Sequence, residues 1–213
     1  MEQKGFAVSD FDGNFQLTDE IKSAVGICAN CDAFIVAEKK WAGQNPIREL
    51  YYVKESAILK LLESENGNVL SPVNSADELI ASHTKDDGFK TATPQFTASL
   101  TIPNNVLTAA KSHLDGLDSS EGVNMLMRNG CDEAAAHAIW RGLSGDADFT
   151  AIAVIVPKGE QSGVQNAMFI DAGNCIIRMS PVGSLGEEEV RFETVSRAQA
   201  QEIIAETIRS AIL

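Results

Sequence analysis

The sequence predicts an α+β fold, in which antiparallel sheets are covered by helices. Two runs of four short segments alternate apolar and polar residues, which is the pattern of half-buried strands. Turn-forming pairs such as Glu55-Ser56 and Ala172-Gly173 separate neighbouring segments, and only antiparallel strands can be joined that tightly. Each run is followed by a helical pattern that starts at a serine, Ser75 or Ser196, which is a favoured N-cap residue.

The first run is preceded by a predicted helix over residues 18–28. Thr18 suits the N-cap of this helix, and Asp19 and Glu20 fall in its first turn, where the helix dipole favours carboxylates. The Asn66-Gly67 pair predicts a second hairpin turn within the run. The predicted strands cover 33–41, 47–54, 57–63 and 68–73, and a helix follows over 75–83.

The second run has the same order of elements. A helix is predicted over 132–143, and a further helix extends from Arg197 to the C-terminus. The predicted strands of this run cover 149–157, 165–171, 174–180 and 189–194. Between the two runs we expect a polar stretch, a strand over 96–102 and helices near 104–115 and 119–128.

The shared order predicts an internal duplication within one α+β domain over residues 1–213. Two similar β-β-β-β-α units, over 18–83 and 132–213, would be related by a quasi-two-fold axis and joined by a helical and loop segment over 84–131. Coincidence is the alternative, because this order is common in α+β proteins and the two runs share little residue identity.

Charge and composition restrict the class of partner. Acidic residues outnumber basic ones by 30 to 17, so the formal net charge is −13, which argues against binding to a nucleic-acid backbone. No Lys/Arg cluster in the sequence suggests an anionic membrane surface as a partner. The stretch MEQKGFAVSD lacks the apolar region of a secretory signal, and no apolar run approaches the ~20 residues of a membrane-spanning helix, so we expect a cytoplasmic protein.

The stretch DFDGN raises one enzymatic alternative. It resembles the opening motif of haloacid-dehalogenase-type phosphatases, in which Asp10 would attack a phosphoryl group and Asp12 would act as general acid and base with magnesium. That chemistry needs a parallel sheet, and the sequence instead supplies strands in runs of four without βαβ alternation. These phosphatases also need an acidic pair that holds magnesium at the end of a strand. Asp146 and Asp148 could supply such a pair, but they precede a predicted strand instead of following one. The phosphatase is therefore the second hypothesis.

The cysteines and histidines do not predict a metal, redox or cofactor site. Cys28 and Cys31 form a C-x-x-C pair at the end of a predicted helix, whereas a redox pair needs a helix N-terminus. Cys131 and Cys175 stand alone, without the spacing of zinc ligands, so we expect small and mostly buried residues. No two histidines have ligand spacing, and no nucleophile elbow or phosphate-binding loop occurs. Three histidines are expected to be structural or exposed, namely His83, His113 and His137. Trp41 and Trp140 are expected to be core or interface anchors.

Protein binding is the function class that remains. Antiparallel sheets with free edges can dock a partner segment. Tyr51 and Tyr52 could serve either the core or a contact surface, because alternation alone does not say which face meets solvent. The polar segment from Thr84 to Gln95 is longer than a simple connection and is predicted to be mobile and partner-facing.

Four stretches of the sequence resemble a known family, the EspG-like cytosolic chaperones of type VII (ESX) secretion systems and their distant Gram-positive relatives. The stretches are FQLTDEIKSAV, RELYYVKESAILKLLESENGNVLSPVNSADELI, NGCDEAAAHAIWRGLSGDADFTAI and NAMFIDAGNCIIRMSPVGSLGEEEVRFETVSRAQAQEIIAETI. The resemblance implies a quasi-two-fold α+β fold whose central sheet and helical bundles hold the tip of a helical secretion substrate. It transfers no binding residue, since members bind through surface shape.

The sequence-based hypothesis is therefore a non-enzymatic cytoplasmic chaperone or adaptor for a helical secreted protein. It predicts no catalytic residue, no cofactor and no metal. A self-associating protein, such as a homodimer, is a further alternative.

Overall fold

The computed structural model describes residues 7–9, 15–64, 67–85, 88–113, 119–158, 161–183 and 188–212. Within them the chain forms a mixed α+β fold, as the sequence predicts. The six helices are α1 (Asp19–Ala29), α2 (Ala76–Thr84), α3 (Asn104–Ser112), α4 (Ser119–Arg128), α5 (Glu133–Ser144) and α6 (Arg197–Arg209).

Eleven strands are described. The first seven are β1 (Ala7–Ser9), β2 (Phe15–Leu17), β3 (Ala33–Lys40), β4 (Ile47–Lys54), β5 (Ala57–Ser64), β6 (Gly67–Val73) and β7 (Ser99–Pro103). The last four are β8 (Asp148–Lys158), β9 (Gln161–Asp171), β10 (Ile176–Val182) and β11 (Glu189–Val195).

Nine of these strands form one continuous sheet in the order β6-β5-β4-β3-β8-β9-β10-β11-β7, and β1 pairs with β2 separately. Each described pairing is antiparallel. The two runs of strands meet at β3 and β8, from which each run extends outward in its own sequence order. The strand order is therefore quasi-two-fold about the β3–β8 pair. The origin of units 18–83 and 132–213 by duplication stays a prediction.

Local sequence explains where the helices begin. The side chain of Ser75 accepts a hydrogen bond from the Glu78 backbone N–H, which satisfies one orphan donor at the start of α2. Ser196 and Gln199 form a capping box at α6. The side chain of Asp132 caps α5 by accepting a hydrogen bond from the backbone N–H of Ala135. Thr18 precedes α1 as predicted, but its side chain makes no capping hydrogen bond.

The turn after β4 lies where the sequence predicts it, whereas β9 begins at Gln161, four residues before the predicted start at residue 165. β4 ends at Lys54 and β5 begins at Ala57, so Glu55 and Ser56 form the turn, with Glu55 at a φ of 51°. The loop between β9 and β10 is longer than predicted, because β10 begins only at Ile176. A hydrogen bond from the Ala172 N–H to the Cys175 carbonyl closes this loop, and Gly173 adopts a φ of 84° within it. Asn66 lies outside the described residues.

Each face of the large sheet carries a hydrophobic core. On one face, here the α2/α6 face, the inward residues of β3, β4, β8 and β9 pack under α2 and α6, which also pack against each other. On the other, here the α1/α5 face, α3, α4 and α5 cover the outer strands of the second run around Ile170, Ile177 and Phe192. α1 contacts β4 and β5 in the first run, as α5 contacts β9 in the second. From the quasi-two-fold strand order we infer that α1 lies on the same face of the sheet as α5.

Candidate partner-binding surface

The centre of the α1/α5 face carries an apolar surface that no helix buries. Three cross-strand rows over β3, β8 and β9 form it: Phe34, Ile155 and Val164; Val36, Ala153 and Asn166; Glu38, Ala151 and Met168. Every one of these nine residues is half-buried or exposed, and Val164 is 60% exposed. We call this set of nine residues the exposed strip.

The opposite face of the same strands is fully covered. Ile35 and Ala37 of β3, and Ile152 and Val154 of β8, are at most 2% exposed beneath α2 and α6. Neighbouring residues along each strand therefore differ in burial although both faces are apolar. Contiguous apolar surface that stays accessible on a folded chain is typical of a binding site.

Two helices flank the exposed strip. The main contacts of α1 are with β4 and β5, and those of α5 with the sheet are with β9. The strand order places β3 and β8 between these helices, so α1 and α5 lie about three to four strand spacings apart, roughly 17 Å. The two helices form the walls of a trough, and the exposed strip is its floor.

The width of the trough matches one helix. Helices that pack together lie about 8–10 Å apart, so a helix between two others needs roughly 16–20 Å in total. The trough therefore has room for one additional helix over an apolar floor. A lipid-like or aromatic small molecule would fit a narrower groove, so the width favours a helix as the occupant.

The two walls differ in how firmly they are packed. α5 buries five of its residues, namely Ala135, Ala136, Ala138, Ile139 and Trp140. Gly142 lets α5 approach the sheet closely, because a Cβ atom at this position would lie 2.3 Å from Cδ1 of Ile170. α1, at the equivalent place before β3, has no buried residue, and Val25 on it is 55% exposed. The α5 wall is thus fixed, whereas α1 has little burial to hold it in one position.

Most side chains of the exposed strip are apolar, which suits binding to an apolar partner surface. Within the exposed strip the ionisable residue is Glu38, and Arg48 forms an ion pair with it at 2.9 Å. Tyr52 borders the strip, with its ring centroid 5.0 Å from that of Phe34. Tyr51 points to the other face and is 1% exposed, so Tyr51 belongs to the core and Tyr52 lies beside the exposed strip.

His83, a buried residue of α2, belongs to a polar cluster between this helix and the sheet. The Tyr51 hydroxyl lies 2.8 Å from Oε2 of Glu49 and 3.0 Å from Nε2 of His83, and Lys60 forms an ion pair with Glu49. Burial alone would raise the pKa of Glu49, but hydrogen bonds from Lys60 and Tyr51 lower it. The ionised carboxylate therefore accepts a hydrogen bond from the Tyr51 hydroxyl, and Nε2 of His83 donates to the tyrosine oxygen.

This cluster predicts a pH dependence of stability. Burial, followed by the positive charges of Lys39 and Lys60, lowers the pKa of His83 to about 4 from 6.5, although Glu49 opposes the shift. Between these values the unfolded chain binds a proton that the folded chain does not, so stability falls as pH drops from about 7 towards 4. We expect His83→Gln, which cannot titrate, to lose less stability than wild type between about pH 7 and pH 5. Urea unfolding at several pH values measures this, and parallel pH curves for the two proteins would contradict the assignment.

The segment from Thr84 to Gln95 is fixed by hydrogen bonds where it is described, in contrast to the predicted mobility. Asp171, which is 5% exposed, accepts from the backbone N–H groups of Lys90 at 2.6 Å and Thr91 at 3.0 Å, and from the Thr91 hydroxyl at 2.6 Å. The N–H of Gln95 donates to the carbonyl of Asn174. Phe89, 3% exposed, adds its ring to the α2/α6 core. The described part of this segment is therefore held by backbone hydrogen bonds, and its contact with a partner stays a prediction.

Removal of the Asp171 carboxylate should destabilise the protein. Asp171→Ala leaves four donors without their acceptor, because Gly173 also donates its N–H to this side chain. We expect a loss of about 2–3 kcal/mol and faster amide exchange at Lys90 and Thr91. The matched control is Asp77→Ala on the exposed first turn of α2, expected to change stability by less than about 0.5 kcal/mol. Equal effects of the two variants would refute the anchoring role.

The cysteines occupy two environments. Cys131 and Cys175 are buried as predicted, and burial raises the pKa of each thiol to about 11, so neither is a reactive thiolate at neutral pH. Cys28 and Cys31 are free and half-buried, hence more accessible than predicted. Burial and the neighbouring Cys31 raise the pKa of Cys28. Among the described residues, no group of three or more His, Cys, Asp or Glu side chains is close enough to hold a metal ion.

The remaining candidate side chains are dispersed. His137 is exposed on α5, and His113 is half-buried at the end of α3. Trp140 is 7% exposed in the core between α4 and α5, as expected of a structural residue. Trp41 is half-buried after β3 and lines two cavities.

The phosphatase hypothesis lacks its scaffold. Asp10 and Asp12 lie outside the described residues. The described pairings contain no parallel strands, although the hypothesis needs a doubly wound parallel sheet to position the nucleophile. Asp148 instead binds Lys90 at 2.6 Å and accepts from the Ala42 N–H, while Asp146 accepts from the Ser144 hydroxyl. Both aspartates therefore have local structural partners.

Fold and surface together define a class: an α+β protein with a nine-stranded antiparallel sheet and an open, helix-wide apolar trough. Neither a family model nor a curated protein matches the sequence. Among solved structures, the chain is similar to a structure of the Mycobacterium tuberculosis type VII secretion system chaperone EspG5 in complex with a PE25–PPE41 dimer. The TM-score is 0.68 at 15% sequence identity, over 100% of this chain and 83% of that chain. At this identity the similarity is one of fold.

No described helix is long and apolar enough to cross a membrane. Sequence reasoning found the strands that form the trough but not the trough itself. Alternation assigns Val36 and Ile35 to opposite faces without saying which face a helix covers. The sequence feature that could have indicated the trough is that both faces of β3 and β8 are apolar.

Proposed function

We propose that this protein is a non-enzymatic, cytoplasmic chaperone or adaptor that holds a helical secreted-type protein in the trough. The observation that carries the proposal is the exposed strip, a floor of apolar side chains between α1 and α5 with room for one helix. An amphipathic helix that lays its apolar face in such a groove is a common mode of protein recognition.

The solved EspG5 complex adds support. That chaperone has a similar fold over the whole length of this chain, and it was solved with a PE25–PPE41 dimer. Transfer of its class of substrate, a type VII secretion substrate, to this chain is part of the proposal. A chaperone of this kind would protect the apolar surface of its substrate from water and from aggregation until export.

Capture from the source organism tests the proposal. The full chain, tagged and produced at its native level, should recover a predominantly helical protein in near-equimolar amount from the cytosol. Mass spectrometry identifies the protein, and circular dichroism of the complex reports its helix content. Recovery of the chain without a stoichiometric partner would contradict the proposal.

A second copy of this chain is the competing occupant of the trough. Light scattering of the purified protein separates the two cases, because a homodimer through the trough doubles the mass in the absence of any other protein. If wild type has the mass of two chains and Ala153→Arg has the mass of one, the trough binds a second copy of the chain. That result would overturn the proposal of a secreted partner.

A further inference from the structure

Asn166 is a polar side chain in the middle of the apolar floor of the trough. It lies on β9 in the middle row of the exposed strip, beside Ala153 and Val36. Asparagine is among the residues that strands disfavour, because its side chain competes for backbone hydrogen bonds. Strand formation therefore gives no reason for an asparagine here, and such local exceptions are expected at functional positions.

The register of β8 and β9 fixes the face on which Asn166 lies. Its two neighbours belong to the other face: Ala167 is buried in the α2/α6 core, and Gln165 pairs with Val154 of that core. Successive side chains of a strand point to opposite faces of the sheet. The Asn166 side chain therefore points into the trough.

The side-chain amide of Asn166 has no hydrogen-bond partner among the described residues. The other polar residue of the exposed strip, Glu38, is already paired with Arg48. Asn166 is half-buried and its polar atoms stay accessible, so in the open trough water can satisfy the amide. A helix that covers the floor would remove this water and would have to replace its hydrogen bonds.

The spacing of the rows indicates where on a bound helix the replacement must lie. Successive rows of the exposed strip are two strand residues apart, which is about 6.7 Å. One turn of an α-helix rises roughly 5.4 Å, so a helix laid along the strands presents one turn to each row. The middle turn lies over Asn166. The turns on either side meet apolar side chains, such as Ile155 in one row and Met168 in the other.

We infer that Asn166 selects a partner helix with a hydrogen-bonding side chain at the centre of its apolar face and apolar residues one turn before and after it. A glutamine, asparagine or serine there can pair with the amide. A wholly apolar face would leave the amide buried without a partner, which costs affinity. A single asparagine in the apolar seam of a coiled coil fixes its register in the same way. The inference rests on the proposed function, because it concerns the occupant of the trough.

Two designed helical peptides test the selection by Asn166. Each has about 20 residues and a covalent link on its polar face that holds it helical. They differ only at the centre of the apolar face, where one has glutamine and the other leucine. Fluorescence anisotropy measures the affinity of both peptides for wild type and for Asn166→Leu. We expect wild type to prefer the glutamine peptide and Asn166→Leu the leucine peptide. The ratio of the two preferences should be at least tenfold, or about 1.4 kcal/mol of coupling.

Gln165→Leu is the matched control, since it replaces an exposed amide by leucine at the next position of β9, on the opposite face. Its peptide preference should stay within twofold of that of wild type, and thermal melts verify that both variants stay folded. Preferences of wild type and Asn166→Leu within twofold of each other, or an equal change in Gln165→Leu, would overturn the inference alone. If neither peptide binds to wild type, the trough does not hold a helix, and the proposed function fails together with the inference.

Discussion

Ala153→Arg is expected to abolish partner capture while the protein stays folded. Ala153 lies in the middle row of the exposed strip, between Val36 and Asn166, and its side chain faces the trough. An arginine there extends over the floor and brings a charge that a bound apolar helix face would have to desolvate. We expect at least a hundredfold loss of affinity, or about 2.7 kcal/mol. Because Ala153 is not buried, the free energy of unfolding should change little.

The matched control for this prediction is Val69→Arg. Val69 is 57% exposed on edge strand β6 and, through its pairing with Leu62, belongs to the α2/α6 face. It tests whether any exposed apolar residue contributes to capture. Quantitative capture and thermal melts of both variants give the comparison. Equal binding by wild type and Ala153→Arg, or selective loss in Val69→Arg, would remove the trough from the binding site.

Trp140→Ala is expected to cost about 3–5 kcal/mol of stability, the range for loss of a large buried aromatic side chain. The indole fills the space between α5 and α4, where a Cβ at Gly122 would lie 2.0 Å from Cζ3 of Trp140. Gly122→Ala should therefore also destabilise, by about 1–3 kcal/mol through overpacking. Urea unfolding measures both losses.

The double variant gives the sharper test of this packing. In Gly122→Ala with Trp140→Ala, the new methyl group enters space that the indole has left, so the clash disappears. The combined cost should be smaller than the sum of the two single costs by more than about 0.5 kcal/mol. Strict additivity would show that Gly122 and Trp140 do not pack against each other as described. Gly26→Ala on α1, where a Cβ meets nothing within 4 Å, is the control for a helical glycine.

Much of the fold could be predicted because its signals are local. Alternation located the strands of both runs, and the side chains of Ser75 and Ser196 determine the first turns of α2 and α6 in the way their sequence position suggests. The pairing of β3 with β8, which joins the two runs into one sheet, depends on contacts over a hundred residues apart. No local pattern encodes it.

The candidate surface was harder to predict for the same reason. The trough depends on where α1 and α5 lie over the sheet, and contacts between elements far apart in the sequence decide this. The hydrogen bonds that hold Thr84–Gln95 could not be predicted, because polar composition does not distinguish a free segment from one whose backbone binds a buried carboxylate such as Asp171. That the segment faces a partner stays a prediction.

Site-specific photocrosslinking in the source organism tests whether a partner helix lies in the trough. A photoreactive amino acid replaces Val36 in the exposed strip in one strain, and Val69 on the opposite face in another. We expect a crosslink from position 36 to a helix of a secreted-type protein, and no such crosslink from position 69. A partner that crosslinks from position 69 and not from position 36 would show that the trough is not the binding site.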